Sequence, residues 1–226
     1  MAFKIDSDLS AVNSVLGAIG QAPITTLNYE NPEVGLCMNL IKETSVDVQS
    51  EGWYYNTENH LKFTTVGGTG ADANRVVVPL NALSMNISGG DIWRYVKVTE
   101  RDGYLYNKTY HTYDWSNWDG GCVYCDVVWL FEFENIPPTF QRYTTLRASV
   151  RAATQLVSNP DLAKLLKDQA DFQRAACIQE NAEMGDNSYM GWPENSVYSP
   201  YQPYKALARG NAFGAATMLP NQFRRY

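Results

Sequence analysis

The sequence predicts an α+β protein: a four-helix bundle split by an antiparallel β insertion and followed by an extended C-terminal arm. Three observations carry that expectation. Apolar residues recur at the helical period before residue 50 and again between 137 and 185. Between those stretches, glycine pairs at 67–68, 89–90 and 120–121 punctuate short β-prone runs. After residue 185 neither period survives. The expected division is therefore 1–60 for helices one and two, 61–136 for the insertion, 137–185 for helices three and four, and 186–226 for the arm.

The first helix lies in "SAVNSVLGAIGQAPITTL", residues 10–27, and its immediate approach. Leu9, Val12, Leu16 and Ile19 share one face, Asp8 or Ser10 can cap the start, and Gly20 stops it. Gly17 and Gly20 each weaken so short a helix by about 1 kcal/mol relative to alanine. It therefore needs neighbours to hold it. A second helix is expected over 32–49, with Pro32 in its first turn and Val34, Cys37, Ile41, Thr44 and Val48 on one stripe. Gly52 ends it, and Trp53 enters beside the core.

The insertion offers about six short strands, in runs such as "RVVVPL", "DIWRYVKVTE", "GYLYNKTY" and "CVYCDVVWLFEF". Cys122 and Cys125 form a C-x-x-C, but alternation places them on a strand and not at a helix start. Zinc would need two further ligands where the chain has two histidines, and a redox pair would normally sit at a helix N-terminus. Both cysteines read as packing residues, as do Cys37 and Cys177. Residues 103–121 gather Tyr106, Tyr110, Tyr113, Trp115 and Trp118 in a segment laced with Asp, Asn and Gly. Such rings serve a core, a protein interface or a sugar site. Because large rings are hard to bury in a turn-rich segment, Tyr113, Trp115 and Trp118 are expected at or near a protein interface, with a carbohydrate-binding subdomain as the alternative.

After "ENIPP" the helical period returns. Tyr143, Leu146, Val150, Ala153 and Val157 mark a third helix begun by Pro137 and Pro138. "SNP" at 158–160 breaks the chain and caps a fourth, whose stripe is Leu162, Leu165, Gln169, Phe172 and Ala176 and which ends near Gly185. Beyond it, Trp192, Tyr198, Tyr201, Tyr204 and Phe213 are spaced as anchors for pockets, not as a helix face. They are the expected contacts to a neighbouring subunit or a larger partner.

Charge and composition narrow the function. Hydrophobic residues are 45% of 226 and charged ones 19%, the balance of a globular chain, and no apolar run is long enough to span a membrane. "MAFKIDSDLS" lacks the apolar core of a signal peptide, so the protein is expected to remain in the cell that makes it. The formal charge is −6, which disfavours a tightly held nucleic acid. It is unevenly placed: residues 1–60 hold 2 basic and 8 acidic side chains, whereas 137–177 hold 6 and 3. No Walker loop, H-E-x-x-H or Ser-His-Asp order is present. A cell-wall hydrolase would need paired carboxylates across a cleft. Asp126, Glu132 and Glu134 are available, but their even spacing reads as the solvent face of one strand. No catalytic, cofactor or metal residue is expected.

"AVNSVLGAIGQAPITTL" and, some way on, "SEGWYYNTE" resemble the N-terminal signature of the tail tubular protein A family, the adaptors of short-tailed, podovirus-type bacteriophages. "IPPTFQRYTTLRASVRAA" is similar to the family's third helix after its β insertion. The resemblance implies a structural, dodecameric ring in the virion, made in the host cytoplasm and seated beneath the capsid portal. It would receive the tail nozzle, help attach tail fibres, and let genomic DNA pass through its lumen. A weak first helix is tolerable there, because packing supplies most helical stability.

Overall fold

The computed structural model describes residues 7–28, 31–67, 73–88, 96–118 and 121–185. The chain forms two units. One joins Met1–Asn56 to Leu130–Gly185, and the described part of the other is Thr57–Trp129.

The first unit is helical. Helix α1 (Asp8–Ala18) is capped by Ser7, whose Oγ accepts the Ser10 N–H, so neither expected cap is the one used. It buries Ala11, Val12, Val15 and Leu16. The Asn13 side chain straps the following proline turn to it, donating to Ile24 O at 2.9 Å and accepting from Ile24 N at 2.8 Å. That strap supplies part of the support its glycines withhold. Helix α2 (Pro32–Gln49) begins at an Asn31 cap and buries all five residues of its predicted stripe. Trp53 follows into the same core, its Nε1 donating to Val48 O.

Helix α3 (Pro138–Ala152) lies at the middle of this unit and packs against α1 and α2. Its buried face overlaps the predicted one only in part. Tyr143 and Ala153 are buried as the period predicts, but Phe140, Thr144, Ala148 and Ala152 are enclosed with them, while Leu146 and Val150 are only half-buried and Val157 is exposed. Small residues at 144, 148 and 152 let a helix with neighbours on several sides approach them closely. A π turn (Ala153–Val157) and Ser158 in the left-handed region end it. Asn159 then caps helix α4 (Pro160–Met184), accepting the Asp161 and Leu162 N–H groups as "SNP" predicts.

Helix α4 corrects a second expectation. The face it lays against α3 is Leu166, Ala170 and Cys177, not the predicted stripe. Its rotation is held by long-range polar bonds: Arg174 to Glu51, Asn181 to the Tyr54 N–H, and Glu180 to the Tyr54 hydroxyl. Leu165 is left 63% exposed and Phe172 80%.

The second unit is antiparallel β. Strands β1 (Thr57–Thr64) and β2 (Ala82–Ile87) flank a central strand, and β3 (Val98–Arg101) pairs with β4 (Tyr104–Asn107) in a separate ribbon. The central strand is β5 (Cys122–Trp129). Five strands are therefore present among the described residues where about six were expected. "RVVVPL" supplies only an isolated bridge, Val77 to Tyr104. The first half of "DIWRYVKVTE" lies outside the described residues. "CVYCDVVWLFEF" leaves the sheet after Trp129, so Glu132 and Glu134 are not on the strand that carries Asp126; they flank and enter a 3-10 turn (Phe133–Asn135). The core of this unit gathers Val76, Val78, Met85, Leu105, Val123, Cys125 and Val127 around two tryptophans.

Candidate interaction surfaces

The aromatic segment after β4 is organised by Asn107. Its Oδ1 accepts the Thr109 and Tyr110 N–H groups, and its backbone closes on Thr112. Asp114 then accepts the Ser116 N–H. These local bonds satisfy the backbone of a turn-rich loop and let it fold over the sheet. Trp115 is consequently 0% exposed and Trp118 7%. Trp115 Nε1 donates to Leu105 O at 2.9 Å, and the two indoles meet edge to face at 5.1 Å. The polar residues that made burial look difficult are the ones that permit it. Trp115 and Trp118 therefore belong to the core, which removes them as surface contacts. Tyr113 is half-buried, and Tyr110 is 53% exposed.

Tyr113 is part of a row of contacting rings and guanidiniums. Arg75 lies over Tyr104 and Tyr113, 5.1 and 4.9 Å from the ring centroids. Tyr113 meets Tyr106 at 4.8 Å, and Arg101 covers Tyr106 at 4.1 Å. Part of this row had a signal in the sequence, an Asp102–Gly103 hairpin turn with Arg101 on one side and alternating tyrosines on the other, whereas Arg75 and Tyr113 join it only through the fold.

A second surface runs along α4. Leu162, Leu165, Gln169, Phe172 and Ala176 are spaced by three and four, a seam that suits a second helix. Leu165, Gln169 and Phe172 are exposed, while Leu162 and Ala176 at its ends are half-buried. Leu156 and Val157, exposed as well, lie just before the helix in the chain. The five arm residues, Trp192, Tyr198, Tyr201, Tyr204 and Phe213, fall outside the described residues.

The His60 ring stacks on Tyr124 at 4.5 Å with Nδ1 3.2 Å from Ser88 Oγ, Ser88 is buried, and Asp126 accepts the His60 backbone N–H. Burial pushes the Cys125 and Cys177 thiols up to about 12, away from reactivity. Among the described residues, no three His, Cys, Asp or Glu side chains gather to hold a metal, and no helix is long and apolar enough to cross a membrane.

Residues 9–187 match the family model described as tail tubular protein, a span that takes in both folded units. The chain belongs to the tail tubular protein family. Over 100 residues it is 28% identical to tail tubular protein A of Klebsiella phage KP34. That alignment covers 44% of this chain and 48% of the relative, about half of each. A structural role in a phage tail, and hence a place in the virion, follows from membership of this tail tubular protein family.

Proposed function

We propose that this protein is the subunit of an adaptor ring that joins the capsid portal to the tail nozzle, helps attach tail fibres and lets genomic DNA pass through its lumen. The single observation that carries self-assembly is the open seam of α4, with Phe172 80% exposed in mid-helix. A large ring so placed exposes apolar area worth about 1.5–3 kcal/mol if covered, and a neighbouring subunit is the natural cover. The helices form the ring wall. The acidic balance of the chain suits a conduit, since it avoids the counterion release that makes basic surfaces hold DNA. The arm, 186–226, supplies further contacts to neighbours and portal through its five spaced aromatics. A dodecamer is the number the family resemblance implies.

A sugar-binding or hydrolytic role for the β unit has less support. The rings of its aromatic row already carry guanidiniums or touch each other, and sugars need open faces to stack on.

The test is sedimentation of the purified protein mixed with its portal, with negative-stain imaging of the product. Co-migration and rings of regular size are expected. No association at micromolar concentration would overturn the reading. Removing residues 187–226 should leave a helical protein that no longer docks stably on the portal.

A further inference from the structure

The Asp102–Gly103 turn, with both residues at positive φ, sets the register of the β3–β4 ribbon: Arg101 opposite Tyr104 and Thr99 opposite Tyr106. Strand alternation then puts Arg101, Tyr104 and Tyr106 on one face and sends Leu105 into the core on the other. Glu100, paired with Leu105, is turned away with it. The pairing continues past the strand ends, where Lys108 N–H donates to Lys97 O. By the same alternation Lys97 and Lys108 follow the face of Arg101. The outer face of the ribbon thus carries cations over rings, with Tyr106 buried beneath Arg101, and no carboxylate from its own strands, on a protein whose net charge is −6.

We propose that this face, centred on Arg101 and the Arg75–Tyr104–Tyr113–Tyr106 row, is a docking surface for an acidic protein segment rich in Asp or Glu. The stacking decides what can bind. A guanidinium held over a ring still has N–H groups directed away from that ring, and these can take a carboxylate in two parallel hydrogen bonds. Ring contact also restricts the arginine before binding, so less side-chain entropy is lost on docking. Arg75 has further interactions within its own chain and serves as the platform between two rings. Arg101 is exposed and makes the recognition contact.

A dense polyanion fits less well than a peptide. Asp102 stands in the turn and Asp114 follows Tyr113 in the chain, and both are exposed carboxylates. Spaced carboxylates on a flexible backbone can avoid them, whereas a regular phosphate row must pass close by.

This inference rests on the reading that the β unit meets another protein of the tail. The full chain is titrated at low salt with a short poly-L-glutamate peptide, with duplex DNA and alginate as parallel probes. Wild type should bind poly-L-glutamate more tightly than either. Arg101→Gln should weaken it about ten-fold, equivalent to roughly 1.4 kcal/mol. Arg101→Lys, which keeps the charge and loses the planar fork, should fall between. Near-UV circular dichroism of each variant reports whether the buried tryptophans are undisturbed. Equal binding by wild type and Arg101→Gln overturns the proposal, and so does tighter binding of DNA or alginate. Portal co-sedimentation is measured on the same preparations: its loss with peptide binding intact sinks only the adaptor reading, and its retention with peptide binding absent sinks only the docking surface.

Discussion

The Gln49 side-chain amide closes two hydrogen bonds on the backbone of Phe131, 82 residues later in the chain. Nε2 donates to Phe131 O at 2.9 Å, and Oε1 accepts the Phe131 N–H at 2.8 Å. Gln49 is fully buried at the last turn of α2, and Nε2 also reaches Ser45 Oγ. The returning chain after β5 is thereby joined to the helical core at the point where it stops being a strand. Gln49→Leu leaves the two half-buried backbone groups of Phe131 without this partner. A loss of about 1–3 kcal/mol is expected, from two bonds and partial desolvation. Urea denaturation checks it, and a change below about 0.5 kcal/mol would mean that water replaces the amide.

Trp115→Ala should cost about 3–5 kcal/mol, since it removes a fully buried indole and its bond to Leu105 O. Tyr113→Ala, at a half-buried position, should cost less and leave the near-UV spectrum of the tryptophans in place. Comparing the two melting curves separates core from surface in this segment. A mild Trp115→Ala would contradict the packing described above.

Rising pH should unfold the protein through its buried thiols. Burial raises Cys125 and Cys177 from 9.0 to about 12, and raises Cys37, Tyr54 and Tyr55 as well. The unfolded chain therefore loses these protons first. Stability is fully present below about 9 and declines towards 12, at up to about 1.4 kcal/mol per pH unit for each buried thiol. Urea midpoints at pH 8 and pH 10 provide the comparison, and equal midpoints would show that the thiols ionise freely in the folded protein. Alkylation at pH 8 should mark half-buried Cys122 first.

Glu43, Asp47 and Glu51 on or just after α2 face Arg147 and Arg151 of α3 and Arg174 of α4. These side chains are partly solvated, so the network is worth little per pair. Asp47→Asn, which loses the contacts to both Arg147 and Arg151, should cost about 0.5–1 kcal/mol at low ionic strength. The deficit should shrink in molar salt. Thermal melts in the two salts test this, and a deficit independent of salt would point to packing instead.

Phe172→Asp and Leu165→Asp place charge on the open seam of α4 and should leave the monomer's helix content and melting temperature nearly unchanged. Ring formation with portal should be lost. Retained rings of normal size would place the subunit contact elsewhere.

What the sequence by itself determined is short-range. Proline at the first turn and an asparagine before it mark the starts of α2 and α4, glycine pairs mark the β region, and the α2 stripe is buried as its period predicts. Each of those features acts within a few residues, where caps and periodicity operate. The tertiary structure alone decided which of two apolar lines on α4 is covered. Periodicity identifies a face, but the bonds from Arg174, Glu180 and Asn181 to residues more than 120 positions away set the rotation. It also decided that Trp115 and Trp118 are core while Arg75 and Arg101 lie over the tyrosine row. Aromatic composition is the same for a core and for an interface. Only the fold of the loop, held by Asn107, separates one from the other.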